Sequence, residues 1–522
     1  MPLAAETTQL SNVARQAVAT KDWARVSACA MEIRRHAPGD AEGPFLMGLV
    51  QKAAGQPEAA ARHLQQALSL DGERYDAAVE LASLNVIANR YNDARELLRR
   101  YCGHLHNSPV YLDMAGEAYF AMGLYEQAWP LYEQASRLQP NVEAFQAHMA
   151  SCGVYLGKID LAKSIYRKLL KRNSRHQKTH YDLAQLERAR NDRHIKEMLK
   201  VLRKSDPKPA SNIFLFYALG KEYEDLGLWK DSFRFYKKGG DAVKSVADYD
   251  VADDVRLMDS IIETCSASWL QDTPAAGKTI KTPIFIVGLP RTGTTLTDRI
   301  LSSHSQVQSA GESQLLQMVL RDGTRAGNQI GITTEQIEAA SKRDPGSIAE
   351  AYVDAVSHRL GNEPYFIEKL PENVLYLGFI AKAWPNARIV HLRRHPMDAC
   401  FAVYKQSFFR FAYSLDDLAQ YYLAYDRLSR HWRETLGSRM VELNYEDLVH
   451  DQEAQTRQLL DLLGLEFEEA CLRFDENAAP VATASSVQVR EKLHTRSVAK
   501  WKKFERQLQP LRDRLGQDGV NL

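Results

Sequence analysis

The sequence predicts two architectures in one chain: an all-α helical solenoid in the N-terminal half and an α/β domain with a parallel central sheet in the C-terminal half. Three observations lead there. Small and aromatic residues recur at a spacing of about 34 residues over roughly residues 6–244. A strand, a glycine-bounded loop and a helix follow one another from residue 284. Further strand–helix units come later, the order that makes a sheet parallel. Composition frames these readings. A chain of 522 residues has room for about three or four domains. Apolar residues are 45% and charged residues 25%, which permits large cores and excludes wholesale disorder. Lys+Arg is 67 and Asp+Glu 66, a net charge of +1, so no nucleic-acid partner is expected. No run of about 18 uncharged apolar residues and no basic-then-apolar leader appear, so neither a membrane span nor a secretory signal is expected. The 6 cysteines are scattered with no C-x-x-C pair, which predicts a cytoplasmic protein without a disulfide framework or a bound metal.

The clearest repeat ends at Pro140 and carries Gly116, Tyr119, Gly123, Tyr125, Ala128, Tyr132 and Ala135. One period earlier the same slots hold Ala82, Asn89, Tyr91, Ala94 and Leu98, and one earlier still Gly48, Gly55, Ala60, Leu64 and Ala67. After a slip near Pro207 and Pro209 the pattern returns as Gly220, Tyr223, Gly227, Trp229, Ser232 and Tyr236. Small residues let paired helices approach, and Gly or Asn tolerates the turn between them. About seven units fit, the sixth degenerate, and the pattern resembles the tetratricopeptide repeat. Such units cannot bury their apolar faces alone and must stack. The resemblance implies a concave surface that grips a protein or peptide. The plainer alternative is a solenoid that packs on the C-terminal domain or on a second copy, which leaves an oligomer open. Residues 245–280 read as a connector: one helix over 251–270, then a turn-rich linker around 271–283. Residues from about 275 onward, and with them a domain over 281–522, are expected to fold as a unit.

The apolar, β-branched run at 284–289 reads as a buried strand. It enters Pro290-Arg291-Thr292-Gly293-Thr294-Thr295, after which Leu296, Ile300 and Leu301 fall at helical spacing. This is the layout of a phosphate-binding loop, in which backbone N–H groups and the helix dipole face an anion. Gly288 and Gly293 frame the turn. The lysine slot of a nucleotide triphosphatase holds Thr294 instead, and the nearby cation is Arg291.

The stretch PIFIVGLPRTGTTL resembles the 5′-phosphosulfate loop of sulfotransferases, whose co-substrate is 3′-phosphoadenylyl sulfate (PAPS). A second family element, a strand ending in arginine and followed by a helix, is matched by ARIVHLRRHPMDACFAVYKQSF. There Arg394 takes the slot of the arginine that binds the 3′-phosphate, while Ala402 stands where the family has a serine and His395 replaces the commoner acid. Two segments resemble the tyrosylprotein sulfotransferase branch. Gly311-Glu312 matches a pair with a catalytic glutamate, and Lys369, just ahead of Pro371, matches a catalytic lysine. Tyr445 follows a further strand, as in the family, and is counted with the donor-binding residues. The stretch at 483–501 is expected to close over the nucleotide, with Ser485, Ser486, Arg490 and Arg496 as candidate contacts. Repeats followed by such a domain resemble bacterial-type proteins of the same combination.

The donor set implied by the resemblance is Arg291, Thr292, Gly293, Thr294, Thr295, Arg394, Tyr445, Ser485 and Arg490, with no metal. For sulfuryl transfer, Arg291 and Lys369 would stabilise charge on the leaving oxygen, and Glu312 would take the acceptor's proton. Plainer readings stand beside these: a capping or surface carboxylate for Glu312, a structural ion pair for Lys369, and helix-end and strand histidines for His304 and His391. A phosphotransferase and a nucleotide-binding scaffold without catalysis stay open as other functions. The acceptor, whether protein tyrosine, carbohydrate, lipid or small phenol, is not legible.

Overall fold

The computed structural model describes residues 2–272, 281–321 and 331–522, with side chains from residue 6. Most of the linker predicted around 271–283 lies outside the described residues. The chain divides into two compact units, Met1–Cys152 and Gly153–Leu522.

The first unit is built of antiparallel helix pairs, among them Glu42–Ala53 with Pro57–Leu70 and Pro109–Ala121 with Tyr125–Leu138. The repeat pattern has a direct steric cause. A methyl group at Gly116 would stand 2.8 Å from the Tyr132 ring, and one at Gly48 would stand 2.8 Å from Leu64. The small residue of one helix is therefore the seat for the large residue of its partner. Between the helices, Gly55, Asn89 and Gly123 all have left-handed backbones, with φ of 71°, 58° and 78°.

The second unit contains the later repeats as well as the sheet. The sixth repeat is short, with helices Gln177–Leu186 and Arg193–Leu202. The last pairs Ile213–Asp225 with Trp229–Lys244 and repeats the glycine–tyrosine seat, Gly220 against Tyr236 at 2.7 Å. Predicted as one helix, the connector forms two, Val251–Thr264 and Ala267–Gln271. The break has a local cause. Ser266 takes extended backbone angles and its side chain accepts from Trp269 N, starting a new helix rather than continuing the old one.

Among the described residues, five strands form the sheet: β1 (Thr282–Gly288), β2 (Val307–Ser309), β3 (Tyr365–Lys369), β4 (Arg388–Arg393) and β5 (Met440–Asn444). The order is β2-β3-β1-β4-β5, and every pairing is parallel. Ile284, Ile286, Val307, Ile367, Val390, Leu392 and Leu443 make the sheet's buried share of one core cluster. The register sets Ile286 beside Lys369 and Gly288 beside Leu392, so β1, β3 and β4 end at the same edge. The chain leaves β1 for β2 and β3 on one side and β4 on the other, so a crevice opens at the ends of these strands.

Repeats of the second unit pack directly on this domain. Phe233 stacks on Tyr404, Trp229 meets Phe504 edge-on, and Lys244 pairs with Asp417 at 2.6 Å. A side chain at Gly240 would run into the Tyr413 carbonyl. The compact unit around the sheet thus begins at Gly153, well before the linker from which an independent fold was expected.

Candidate functional site

The loop after β1 is shaped by close backbone approach. Gly288 has φ 149°, and a Cβ there would lie 2.6 Å from the Leu392 carbonyl on β4. Gly293, with φ 105°, caps the helix Thr294–Leu301, and a Cβ there would lie 2.6 Å from the Tyr445 ring. Arg291 is held left-handed at φ 69°, and the Thr292 hydroxyl donates to Leu289 O at 2.7 Å. The first turn of that helix leaves N–H groups without intrahelical partners, the feature that makes such a loop an anion seat.

Three cations converge on it. Arg394, just past β4, donates to Arg291 O at 2.8 Å and to Ser497 O at 2.5 Å, and its guanidinium lies 4.7 Å from the Tyr445 ring centre. Arg291 donates to the Ser485 hydroxyl and to Gln488 Oε1. Burial, with Arg394 close by, lowers its pKa to about 10. Lys369 ends β3, is 1% exposed, and directs its ammonium to the Glu312 carboxylate and to Thr295 Oγ1 at 3.4 Å. An ammonium from β3 thus lies beside the loop after β1.

Of the residues singled out in the sequence, Arg291, Thr292, Gly293, Thr294, Thr295, Glu312, Lys369, Arg394, Tyr445 and Ser485 gather around one loop. Arg490 lies apart from them. Its guanidinium bonds Tyr155 O at 2.9 Å and Ala479 O at 3.4 Å, and it packs against Gly157 in a repeat turn. Arg496 pairs with Glu491, and Ser486 is buried. His395 caps its helix, accepting from Met397 N, and stacks on Trp501. The two histidines take structural places. His304 bonds Glu466 O, and its other ring nitrogen accepts from Gln306 N. Tyr425 accepts from Leu289 N and shares a hydrogen bond of 2.8 Å with His391, which burial holds below its ordinary pKa.

The segment predicted to close over the nucleotide is fastened at several points. Ser485 meets Arg291, Ser497 meets Arg394, and the buried Asp398 carboxylate accepts from Ala499 N and Trp501 N. Val481 N donates to Tyr155 O, and Lys500 pairs with Glu224 of the last repeat. Sequence reasoning missed Asp398, two residues after Pro396, because its partners lie about a hundred residues away. It also missed Glu368 and Arg359. The local signal for Glu368 is an acidic residue directly after the apolar run at 365–367 of β3.

Among the described residues, Asp113, Glu117 and His148 of the first unit have the composition of a metal-ligand set. The imidazole Nδ1 faces both Asp113 oxygens at 3.0 Å and Nε2 faces Glu117 at 3.6 Å. One ligand atom from each of the three lies within 4.8 Å of the others, and the hydrogen bond to Asp113 favours the protonated imidazole. Among the described residues, no helix is long and apolar enough to cross a membrane.

Comparison with known proteins agrees with this description. Residues 283–469 match the model of the Sulfotransferase family, and residues 52–111 and 110–142 match tetratricopeptide repeat models. An uncharacterized protein of Aquifex aeolicus (strain VF5) is 30% identical over 305 residues, 56% of this chain and 40% of that protein. The chain thus spans less than half the length of this relative. Protein-tyrosine sulfotransferase 1 of Danio rerio is 24% identical over 266 residues, 45% of this chain and 72% of that protein. Among solved structures, the sulfotransferase domain of the Synechococcus PCC 7002 olefin synthase is 20% identical, covers 48% of this chain and 99% of that one, and has a TM-score of 0.36. The chain is thus similar to tetratricopeptide repeats over residues 52–142 and to the Sulfotransferase family over residues 283–469.

Proposed function

We propose that the protein transfers a sulfuryl group from PAPS to an acceptor hydroxyl, with a protein tyrosine as the leading acceptor and the repeats gripping a protein or peptide. The observation that carries this is the meeting of Lys369, Glu312 and the β1 loop at one sheet edge, with Arg394 at the end of the adjacent strand. The loop and Arg291 would hold the 5′-phosphosulfate and Arg394 the 3′-phosphate. Lys369 facing Thr295 Oγ1 supports chemistry in which an ammonium meets the hydroxyl that holds magnesium in nucleotide triphosphatases. The tyrosine acceptor is supported by the names of relatives such as the Danio rerio protein.

In the proposed step the acceptor oxygen attacks sulfur, and its proton passes to Glu312. The bond from sulfur to the bridging oxygen breaks, and that oxygen keeps the electron pair as part of adenosine 3′,5′-bisphosphate. Proton uptake cancels the Glu312 charge. The Lys369 ammonium, until then paired with it, is left facing the charge that grows on the bridging oxygen. Base and electrophile are thereby coupled through one ion pair.

The test is calorimetry on the full chain, followed by turnover. Adenosine 3′,5′-bisphosphate should bind more tightly than ATP, and equal or tighter binding of ATP would remove PAPS as the donor. Glu312→Gln should cut transfer to phenols by about 10²–10⁴-fold with little change in bisphosphate affinity. The loss should shrink as the phenol becomes more acidic.

A further inference from the structure

Glu312 sits on a short turn, and a base on a turn is only as well placed as the groups that hold the turn. Four sets of bonds hold this one. Ala310 N donates to Ile367 O at 2.8 Å and Lys369 N donates to Gly311 O at 3.1 Å, so β3 pairs past the end of β2. Arg359 Nη1 donates to both Ala310 O and Glu312 O, at 2.9 and 3.0 Å. Gly311 N donates to Ser309 Oγ at 3.1 Å. The Ser313 hydroxyl donates to Glu368 at 3.0 Å, and the Tyr352 hydroxyl donates to the same carboxylate at 2.7 Å.

Glu368 is 0% exposed and precedes Lys369 on β3. Alternation along a strand sends the two side chains to opposite faces. Lys369 reaches the β1 loop, whereas Glu368 reaches Ser313 and Tyr352 behind the turn. Burial pushes the Glu368 carboxyl up to about 7, against the bonds from Tyr352 and Ser313 and the charge of Arg359. A carboxylate so far from water depends on its hydroxyl donors, and that dependence restrains Ser313 and, through it, the residue before.

We infer that Glu368 and Arg359 are positioning residues for the reaction: from behind and beside the turn, they hold Glu312 against Lys369 and the β1 loop. Neither touches the reacting atoms. This inference rests on the reading of Glu312 as the base.

The experiment uses the full chain with PAPS and 4-methylphenol, an acceptor whose hydroxyl is weakly acidic and needs a base. Glu368→Gln should lower kcat by about 10²-fold, the scale of a small misplacement of a catalytic group. KM for the donor and the affinity for adenosine 3′,5′-bisphosphate should stay within about twofold of the parent, as expected when the donor seat is untouched. Combined with Glu312→Gln, it should add no further loss, because the residue acts through Glu312. Hydrogen exchange should speed up at the amides of residues 310–313 and stay unchanged in β1. Ser313→Ala, which cuts the same bond from the turn's side, should repeat the pattern should Glu368→Gln fold poorly. If the two substitutions add fully, or Glu368→Gln keeps near-parent turnover, Glu368 does not act through the base, although Glu312 keeps its role. If Glu312→Gln alone keeps near-parent turnover, the base assignment falls and this inference with it. Unchanged exchange over 310–313 overturns the inference whatever the turnover shows.

Discussion

The same repeat behaves differently in the two units, and one slot accounts for the difference. In the first unit Gly116 seats Tyr132, and the residue one helical turn on, Phe120, lies among the rings of Tyr125 and Tyr132. In the second unit Gly220 seats Tyr236 in the same way, but the matching slot holds Glu224. That carboxylate is buried, accepts from the Tyr236 hydroxyl at 3.0 Å, and pairs with Lys405 at 3.0 Å and with Lys500. Lys405 belongs to the sheet domain and Lys500 to the segment fastened over the β1 loop. A slot that holds a ring in the Gly116 repeat holds a carboxylate in the Gly220 repeat, and that carboxylate becomes an anchor for the candidate site. Repeat geometry and repeat attachment are thus separable properties of the sequence.

Truncation tests that separation most severely. A fragment starting at residue 281 loses the helices that cover Tyr404, Tyr413 and Phe504. It should show no cooperative unfolding and no binding of adenosine 3′,5′-bisphosphate by calorimetry. A fragment starting at residue 141, ahead of the helix Glu143–Tyr155, should retain both. A well-folded, nucleotide-binding fragment from 281 would show the repeats to be mere ornament on the domain.

Exchanging the slot residue is the next largest test. Glu224→Phe leaves two lysines without their carboxylate and should destabilise the second unit by about 3–5 kcal/mol in denaturant unfolding. It should also weaken bisphosphate binding, because Lys500 lies three residues from Ser497. Gly116→Ala and Gly220→Ala should each cost about 1–3 kcal/mol, since each methyl group overpacks a tyrosine seat. Only the second should alter nucleotide affinity.

The smallest effect is a contrast in pH dependence. Lys405 and Lys500 outweigh burial and hold Glu224 at about 2, below its ordinary value of 4.5. Its contribution to stability is therefore full above about 4.5 and is lost as pH falls towards 2. In the first unit, the hydrogen bond to Asp113 raises His148 above its ordinary 6.5, against the opposing effect of burial. Its contribution is full below 6.5 and is lost as pH rises through the raised value. Thermal unfolding between pH 2 and 9 should show the second unit weakening at the acid end through Glu224. The first should lose its histidine contribution towards neutral and alkaline pH, and His148→Gln should remove that loss.

The sequence by itself determined the period of the repeats and the strand–loop–helix order around Gly288 and Gly293. These are local properties: a glycine seat, a left-handed turn and a strand–loop–helix each need only neighbours along the chain or one repeat away. The split of the connector at Ser266 was local too, but a single capping hydroxyl is a weak signal inside an apolar run. Tertiary structure decided the rest. It brought Lys369 to Glu312 and the Thr295 hydroxyl, sent Arg490 to a repeat turn at Tyr155, and made Glu224 an anchor. It also set Glu368 behind the Glu312 turn. Which carbonyl a guanidinium meets, or which hydroxyl reaches a buried carboxylate, depends on how distant elements pack, because these bonds reach only about 3 Å and the chain between their partners carries no trace of them.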